Sequence, residues 1–401
     1  MTTAQSTFME NPNSYHGTDS ERIEQALAAA ARRGVPVCMT ARRPDDCAER
    51  PYWLIDRAIL LPGKSTLIID NCAIKLSDSA RDNFIRSANC GMGVRDIAPL
   101  ADIHIIGIGN AELIGADRPR ATGDGAKTLG ERSYGTDAGK AEECQKGDWR
   151  NIGVLFARVS NFSISGLTLR DYHCWGISLE YCGHGRLTSL NFAAVGWKMI
   201  DGVKEPFLNQ DGIDLRRGCY DIVIDGVSGY CGDDLVALTG IPSQRRDAGE
   251  PGSTMISGMG IAGMSDDIRH VVIRNVVGYC AGGHQIVRFL NTNGVKLHHV
   301  TLDGLTDTSP DGLRCHATVR IGDSNPTWGG VTPLGDTYGI IVRNVHASGK
   351  HAVMIAGSLC DAIISGVVNY NPDVEPVSFS SGREYIRNVQ ISDTITVGQM
   401  D

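Results

Sequence analysis

One short motif recurs along the chain: two or three β-branched or aliphatic residues, one polar residue, a Gly, Asn or Asp, and usually another aliphatic. It reads Ile222-Val223-Ile224-Asp225-Gly226-Val227, Val271-Val272-Ile273-Arg274-Asn275-Val276, Ile340-Ile341-Val342-Arg343-Asn344-Val345 and Ile363-Ile364-Ser365-Gly366-Val367. Looser copies are Phe162-Ser163-Ile164-Ser165-Gly166-Leu167 and Val389-Gln390-Ile391-Ser392-Asp393. Runs of this kind, closed by residues that tolerate tight turns, are strands ending in bends. Taking the residue before the polar one as marker, the steps are 22 residues from Val342 to Ile364, 27 from Ile364 to Ile391 and 24 from Ile273 to Leu297. Each step suits one rung of a right-handed parallel β-helix, with three short strands and three turns per coil. The longer steps, Ile224 to Ile273 and Leu297 to Val342, are expected to be single coils carrying inserted loops. Segments 241–267 and 322–338, rich in Gly, Pro, Ser and Asp, supply those loops, and 117–150 reads as a third.

A longer repeat points the same way. Tyr181-Cys182, Tyr230-Cys231 and Tyr279-Cys280 succeed one another at 49 residues, and self-similarity at a fixed period is the mark of stacked repeats. The residues after each pair differ: Gly183-His184-Gly185, then Gly232-Asp233-Asp234, then Ala281-Gly282-Gly283-His284. The scaffold repeats while its chemistry does not. At the amino terminus, Thr18-Asp19-Ser20-Glu21 has the form of a capping box, Ile23 to Ala31 are helix formers, and Arg32-Arg33-Gly34 supply a basic last turn and a stop. This helix is expected to cover the open end of an all-β solenoid. The expected division is 1–57 for the amino-terminal segment and 58–401 for one continuous β-helix.

Composition narrows function. The net charge of −8 and pI near 5.8 argue against nucleic acid and anionic membranes as partners. No stretch approaches the ~18 apolar residues of a membrane span. The polar start, Met1 to Tyr15, lacks the order of a signal peptide and predicts a cytoplasmic protein, or a secreted one whose leader has been trimmed. Twelve cysteines show no Cys-x-x-Cys and no His/Cys cluster at zinc-site spacing, so they read as reduced core residues. Neither a metal nor a cofactor is expected.

The chemistry concentrates in Asn209-Gln210-Asp211-Gly212-Ile213-Asp214 and Gly232-Asp233-Asp234. Asp211 and Asp233 are 22 residues apart, about one coil, and coils stack ~4.8 Å apart. A lone aspartate in such a scaffold is a turn residue, as expected of Asp225 and Asp393. Three in coil register repel one another, raising at least one pKa, and a proton donor beside an ionised partner is what glycosidic hydrolysis needs.

These residues, together with Gly283-His284 and Arg320-Ile321 further along, resemble the ordered motifs Asn-Thr-Asp, Asp-Asp, Gly-His-Gly and Arg-Ile-Lys of glycoside hydrolase family 28, the polygalacturonase-like members of the pectin-lyase-like superfamily. The likeness runs from about Ile152 to Val345. It implies Asp233 as general acid, Asp211 and Asp234 as holders of the attacking water, His284 as the residue that tunes the acid, and Arg320 as a substrate contact. It further implies an inverting, metal-free reaction on a carbohydrate, with exo action expected. For a water to fit between acid and base, at least one such pair is expected to exceed direct stacking distance. Asn209, Asp214, Arg288 and Trp328 are further candidates for sugar binding. Gln210 stands in place of Thr, Gln285 in place of the second Gly of Gly-His-Gly, and Gly322 in place of the Lys expected to hold a uronate, a role open to Arg288 or Lys198. Arg314, in Gly312-Leu313-Arg314-Cys315-His316, rivals Arg320 as the basic contact. Trp149, Trp175 and Trp197 are either sugar platforms or packing residues. Rival readings are a polysaccharide lyase or a fructan-type transferase on the same scaffold, and a carbohydrate-binding β-helix without catalysis, such as a phage tailspike.

Overall fold

β-branched side chains that alternate with polar ones pack best where one face of each strand is buried. The computed structural model, which describes residues 9–43, 50–80, 82–118, 149–207, 209–241, 255–292 and 294–398, stacks those strands into a right-handed parallel β-helix. Fifteen strands form a long sheet and ten form a short-stranded sheet, while the hairpin Trp197–Ile200 with Val203–Pro206 stands apart. Apart from that hairpin, every strand pairing among the described residues is parallel. Aliphatic residues stack one per coil inside: Ile164, Leu187, Ile224, Ile273, Leu302, Val342 and Ile364 are register partners in succession. All seven are fully buried. Burying such a side chain contributes about 1.5–3 kcal/mol.

The Gly, Asn or Asp of the recurring motif marks the bend in each long strand. Gly226, Asn275, Gly304, Asn344, Gly366 and Asp393 all have φ between +52° and +76°, the left-handed region that Gly, Asn and Asp enter most readily. The polar residue before the bend ties one coil to the next. Asp225 pairs with Arg274 at 2.8 Å and accepts from Asn275 at 2.7 Å, and Asp303 treats Arg343 and Asn344 alike.

Three register expectations need correction. The partner of Ile273 is Leu302, not Leu297, so that coil is 29 residues long. Of the two Tyr-Cys steps, only the second is a structural repeat: Tyr230 faces Tyr279 and Cys231 faces Cys280. Tyr181-Cys182 lies before a strand whose Gly183 pairs with Tyr220, at a different corner of the coil. Stacking also begins ahead of residue 58, because Val37–Met39 and Tyr52–Ile55 already pair in the long sheet.

The helix Asp19–Arg33 covers the first coil. Its capping box is formed by Thr18 and Glu21, and Gly34 ends it at φ +66°. Asp19 anchors it: this buried carboxylate accepts from Arg42 at 2.8 and 2.9 Å, from Arg50 at 3.1 Å and from the Leu54 N–H at 2.8 Å. The step from Ile224 to Ile273 is one coil, as expected. Of its inserted loop, Met255 onward is described. Most of the expected loop 117–150 lies outside the described residues, as does 242–254. The described cysteines are free thiols, nine of the ten buried.

Candidate active site

The site lies on the outer face of the short sheet, where the chain enters each short strand. Asp214, Ala237, Arg288 and Arg320 succeed one another in register on four coils, so outward-facing charges stack beside the small Ala237. Asp211 sits two residues before a short strand and Asp234 holds the same place one coil later: the Gly212 N–H donates to the Asp234 carbonyl at 2.9 Å, and Ile213 pairs with Val236. His284 reaches the same patch 51 residues after Asp233, because Val236 pairs with Val287 and the intervening insertion adds no coil.

Carboxylate oxygens of Asp211, Asp233 and Asp234 all lie within 4.8 Å of one another. Each has a different setting. Asp234 accepts the Gln285 N–H at 2.9 Å and faces Arg288 at 3.7 Å. Asp233 lies 3.3 Å from His284 Nδ1. Asp211 Oδ1 is buried with no hydrogen-bond partner. Burial first, then Asp214, Asp233 and Asp234, push the Asp211 carboxyl well above the usual carboxylate range. Asp214, buried one coil before Ala237, is also pushed up by burial, with Asp234 and Asp233 adding to it and Arg216 opposing; its Oδ1 accepts from Thr239 at 3.3 Å. The trio thus joins a carboxyl that favours its proton to one furnished with a cation and an N–H donor. The nearest oxygens of the trio stand no farther apart than about one strand spacing, ~4.8 Å, so the wider acid–base gap expected from the sequence is not seen between them.

A pocket of about 190 Å³ opens over the trio. Of the residues named from sequence, Asn209, Asp211, Asp214, Asp233, Asp234, His284, Arg288 and Trp328 all line it. Arg320 stands behind them. Asp323 holds both arginines, Arg288 at 2.6 Å and Arg320 at 3.0 Å, and burial lowers Arg320 from the ordinary arginine range against the pull of Asp323. Arg320 occupies the strand Ala317–Ile321, while Arg314 lies outside any strand and is exposed. Lys198 donates to the Ala116 carbonyl at 2.8 Å on the separate hairpin. His184, of the literal Gly-His-Gly, lies at another corner beside Asp221.

Of the three tryptophans that the sequence left open between sugar platform and packing, one joins the site. Trp175 lines the pocket with Arg216 over its ring at 4.3 Å, whereas Trp149 is buried in packing and Trp197 is on the hairpin under Lys204. Gln210 is a brace: it donates to the Tyr172 carbonyl at 2.6 Å and accepts from the Gly196 N–H at 2.8 Å, fixing Asp211 against the hairpin. Asp323, three residues after Arg320, carried a helix-like spacing that has no meaning in a strand. A further closure was not legible at all. Leu155 and Ala157, facing outward from an early short strand, join Ile97, Trp149, Trp175 and Ile256 in a second apolar cluster. Loops from three parts of the chain therefore cover the short sheet on the early-coil side of the pocket. Glu180 clamps one of them, accepting from the Ile256 and Ser257 N–H groups at 2.9 and 3.0 Å and from Ser257 Oγ at 2.7 Å.

No family pattern matches the sequence, and no curated protein matches it. Solved structures do. A tailspike of E. coli bacteriophage HK620, in complex with a pentasaccharide, is similar with a TM-score of 0.55 at 13% identity, over 99% of this chain and 65% of the tailspike. The surface adhesin PfbA of Streptococcus pneumoniae gives 0.49 at 9%, over 98% and 79%. The family 28 exopolygalacturonase of Yersinia enterocolitica gives 0.41 at 12%, over 98% and 80%. At these identities the tailspike likeness is one of fold, and that fold is the parallel β-helix.

Proposed function

We propose that the chain is a glycoside hydrolase that removes sugar from the end of an oligo- or polysaccharide by carboxylate acid–base chemistry. The observation that carries this is the trio itself: three carboxylates from two adjacent coils within 4.8 Å, at the base of a pocket. Asp233, next to His284, protonates the leaving glycosidic oxygen. Asp234, held by Arg288 and the Gln285 N–H, takes a proton from the attacking water, which Asp211 positions. The proton favoured by Asp211 passes within the trio, so one proton enters with Asp233 and one leaves the water in each turnover. Asn209, Asp214 and Trp328 hold the sugar, and Arg288, backed by Asp323 and Arg320, frames its far side. The covered early-coil side supports exo action, because a chain seated over the trio meets the Ile256 cluster on that side. Inversion is adopted on the resemblance of the motifs to family 28.

Carbohydrate binding without catalysis is the second reading, supported by the tailspike solved with a pentasaccharide. Asp233→Asn separates the two. The amide cannot donate to a leaving oxygen as an acid, so binding of an oligosaccharide is expected to persist while turnover falls about 10²–10⁴-fold. Undiminished turnover on a substrate with a poor leaving group removes Asp233 as the acid. Absence of any turnover by the unaltered protein across plant and bacterial oligosaccharides favours the binding reading. Products bearing a new carbon–carbon double bond identify a lyase, and proton NMR of the first-formed sugar reads the stereochemistry.

A further inference from the structure

The carboxylates sit where the chain enters the short strands; a different cluster sits where it has left them. There Asp221, His270 and His299 succeed one another on three coils, each in the left-handed region with φ of +52°, +54° and +53°. The backbone repeats, so the side chains project alike. His270 and His299 lie between the register pairs Arg269–His298 and Val271–Val300, which places them on adjacent coils. His298 adds a third imidazole, stacked on Tyr338 at 4.7 Å with its ring nearly parallel.

We propose that His270, His298 and His299 form a binding site for a divalent transition ion of the zinc, nickel and copper class, one that staples two coils of the β-helix. The three ring centroids are 4.9, 5.3 and 6.1 Å apart. Zinc–nitrogen bonds of ~2.0–2.1 Å in tetrahedral geometry put imidazole centroids about 5 Å apart; His299 stands near that distance from both partners, while His270 and His298, at 6.1 Å, must draw together to share an ion. Nδ1 of His298 and Nδ1 of His299 already face each other at 2.7 Å; an ion replaces the proton they share and spreads them slightly. Nδ1 of His270 lies 3.0 Å from Asp221. That contact gives the histidine the carboxylate partner found behind many metal ligands, leaving its other nitrogen for the ion. The His270 ring must turn to close the site, and it is exposed and able to do so. Water fills the fourth position, since His299 is exposed as well. Imidazole donors select this class of ion over magnesium and calcium. Arg269, next to His270, is drawn over the Tyr220 ring at 4.8 Å. Sequence spacing hides the set, because His270 and His299 are 29 residues apart (299 − 270), one coil rather than one turn.

The test is titration of the full chain with zinc chloride at neutral pH, monitored by calorimetry, with cobalt(II) absorption as a spectroscopic readout. One ion per chain is expected, with cobalt bands of a nitrogen-rich site and a raised melting temperature. His270→Asn and His299→Asn are the informative variants, because Asn accepts the left-handed backbone of both positions. Each is expected to melt like the parent without metal and to bind zinc at least ~10-fold more weakly, and Asp221→Asn to lose ~10–100-fold through its partner. Asp211→Asn is expected to bind zinc as the parent does. Zinc affinity unchanged in both histidine variants, or lost in Asp211→Asn, overturns the proposal, as does no zinc binding at all.

Discussion

Asp211 carries the chemical tension of the molecule. It is buried with a bare oxygen and three neighbouring aspartates, and its pKa is raised by burial and by their charge. A group whose folded pKa exceeds its unfolded value contributes stability that is fully present below the unfolded pKa and lost as pH rises through the folded one. Asp211 therefore weakens the fold at neutral pH relative to acid. Replacing it by Asn keeps the shape and removes the titration. Asp211→Asn is expected to melt higher than the parent at pH 7, to lose that advantage as the pH falls below the ordinary carboxylate range, where the folded and unfolded chains both hold the proton, and to hydrolyse little or no substrate. A variant that melts lower at pH 7 contradicts this account, as does one whose gain grows in acid. Stability given up at such a position is the usual cost of an assembled site.

Among the elements, the loop 255–260 is the one that, under the proposed exo action, limits substrate length. Two backbone N–H groups and the Ser257 hydroxyl end on Glu180, a fully buried carboxylate whose pKa burial raises while the Ser257 hydroxyl and Arg216 lower it. Glu180→Ala strands those donors, each left unsatisfied at a cost of about 1–3 kcal/mol, and the loop is expected to lift. Protease cleavage near residue 256 should rise, and the product pattern should shift from single-residue release toward internal cleavage of long substrates. An unchanged pattern in a variant shown to have a mobile loop would detach the covered side from exo action.

For the whole molecule, the ladder of aliphatic residues is the source of stability, and each rung rests on two others. Ile273, flanked by Ile224 and Leu302, is fully buried. Ile273→Ala is expected to cost about 2–5 kcal/mol, read as a shift in the denaturant midpoint, whereas Ile391→Ala on the last coil, which is 41% exposed, should cost well under half as much. Equal losses at the two positions would mean that the end coil is covered in solution.

The recurring strand–bend motif was enough to define the solenoid, because a period of one coil forces strands into parallel register and requires Gly, Asn or Asp at each bend. It also placed Asp211 beside Asp233 and Asp234, since residues one coil apart must stack. Local sequence equally dictated the capping box of Thr18 and Glu21. Exact coil lengths were not legible: Leu297 and Leu302 both fit the pattern, and only the pairing of Ile273 decides between them. Nor were contacts that join distant loops to an outward face. Asp323 between two arginines, Glu180 under Ser257, and His270 beside His299 depend on which coil each insertion returns to, and no local propensity records that. The strands were written in the chain; the walls of the pocket and the histidine corner were decided by the stack.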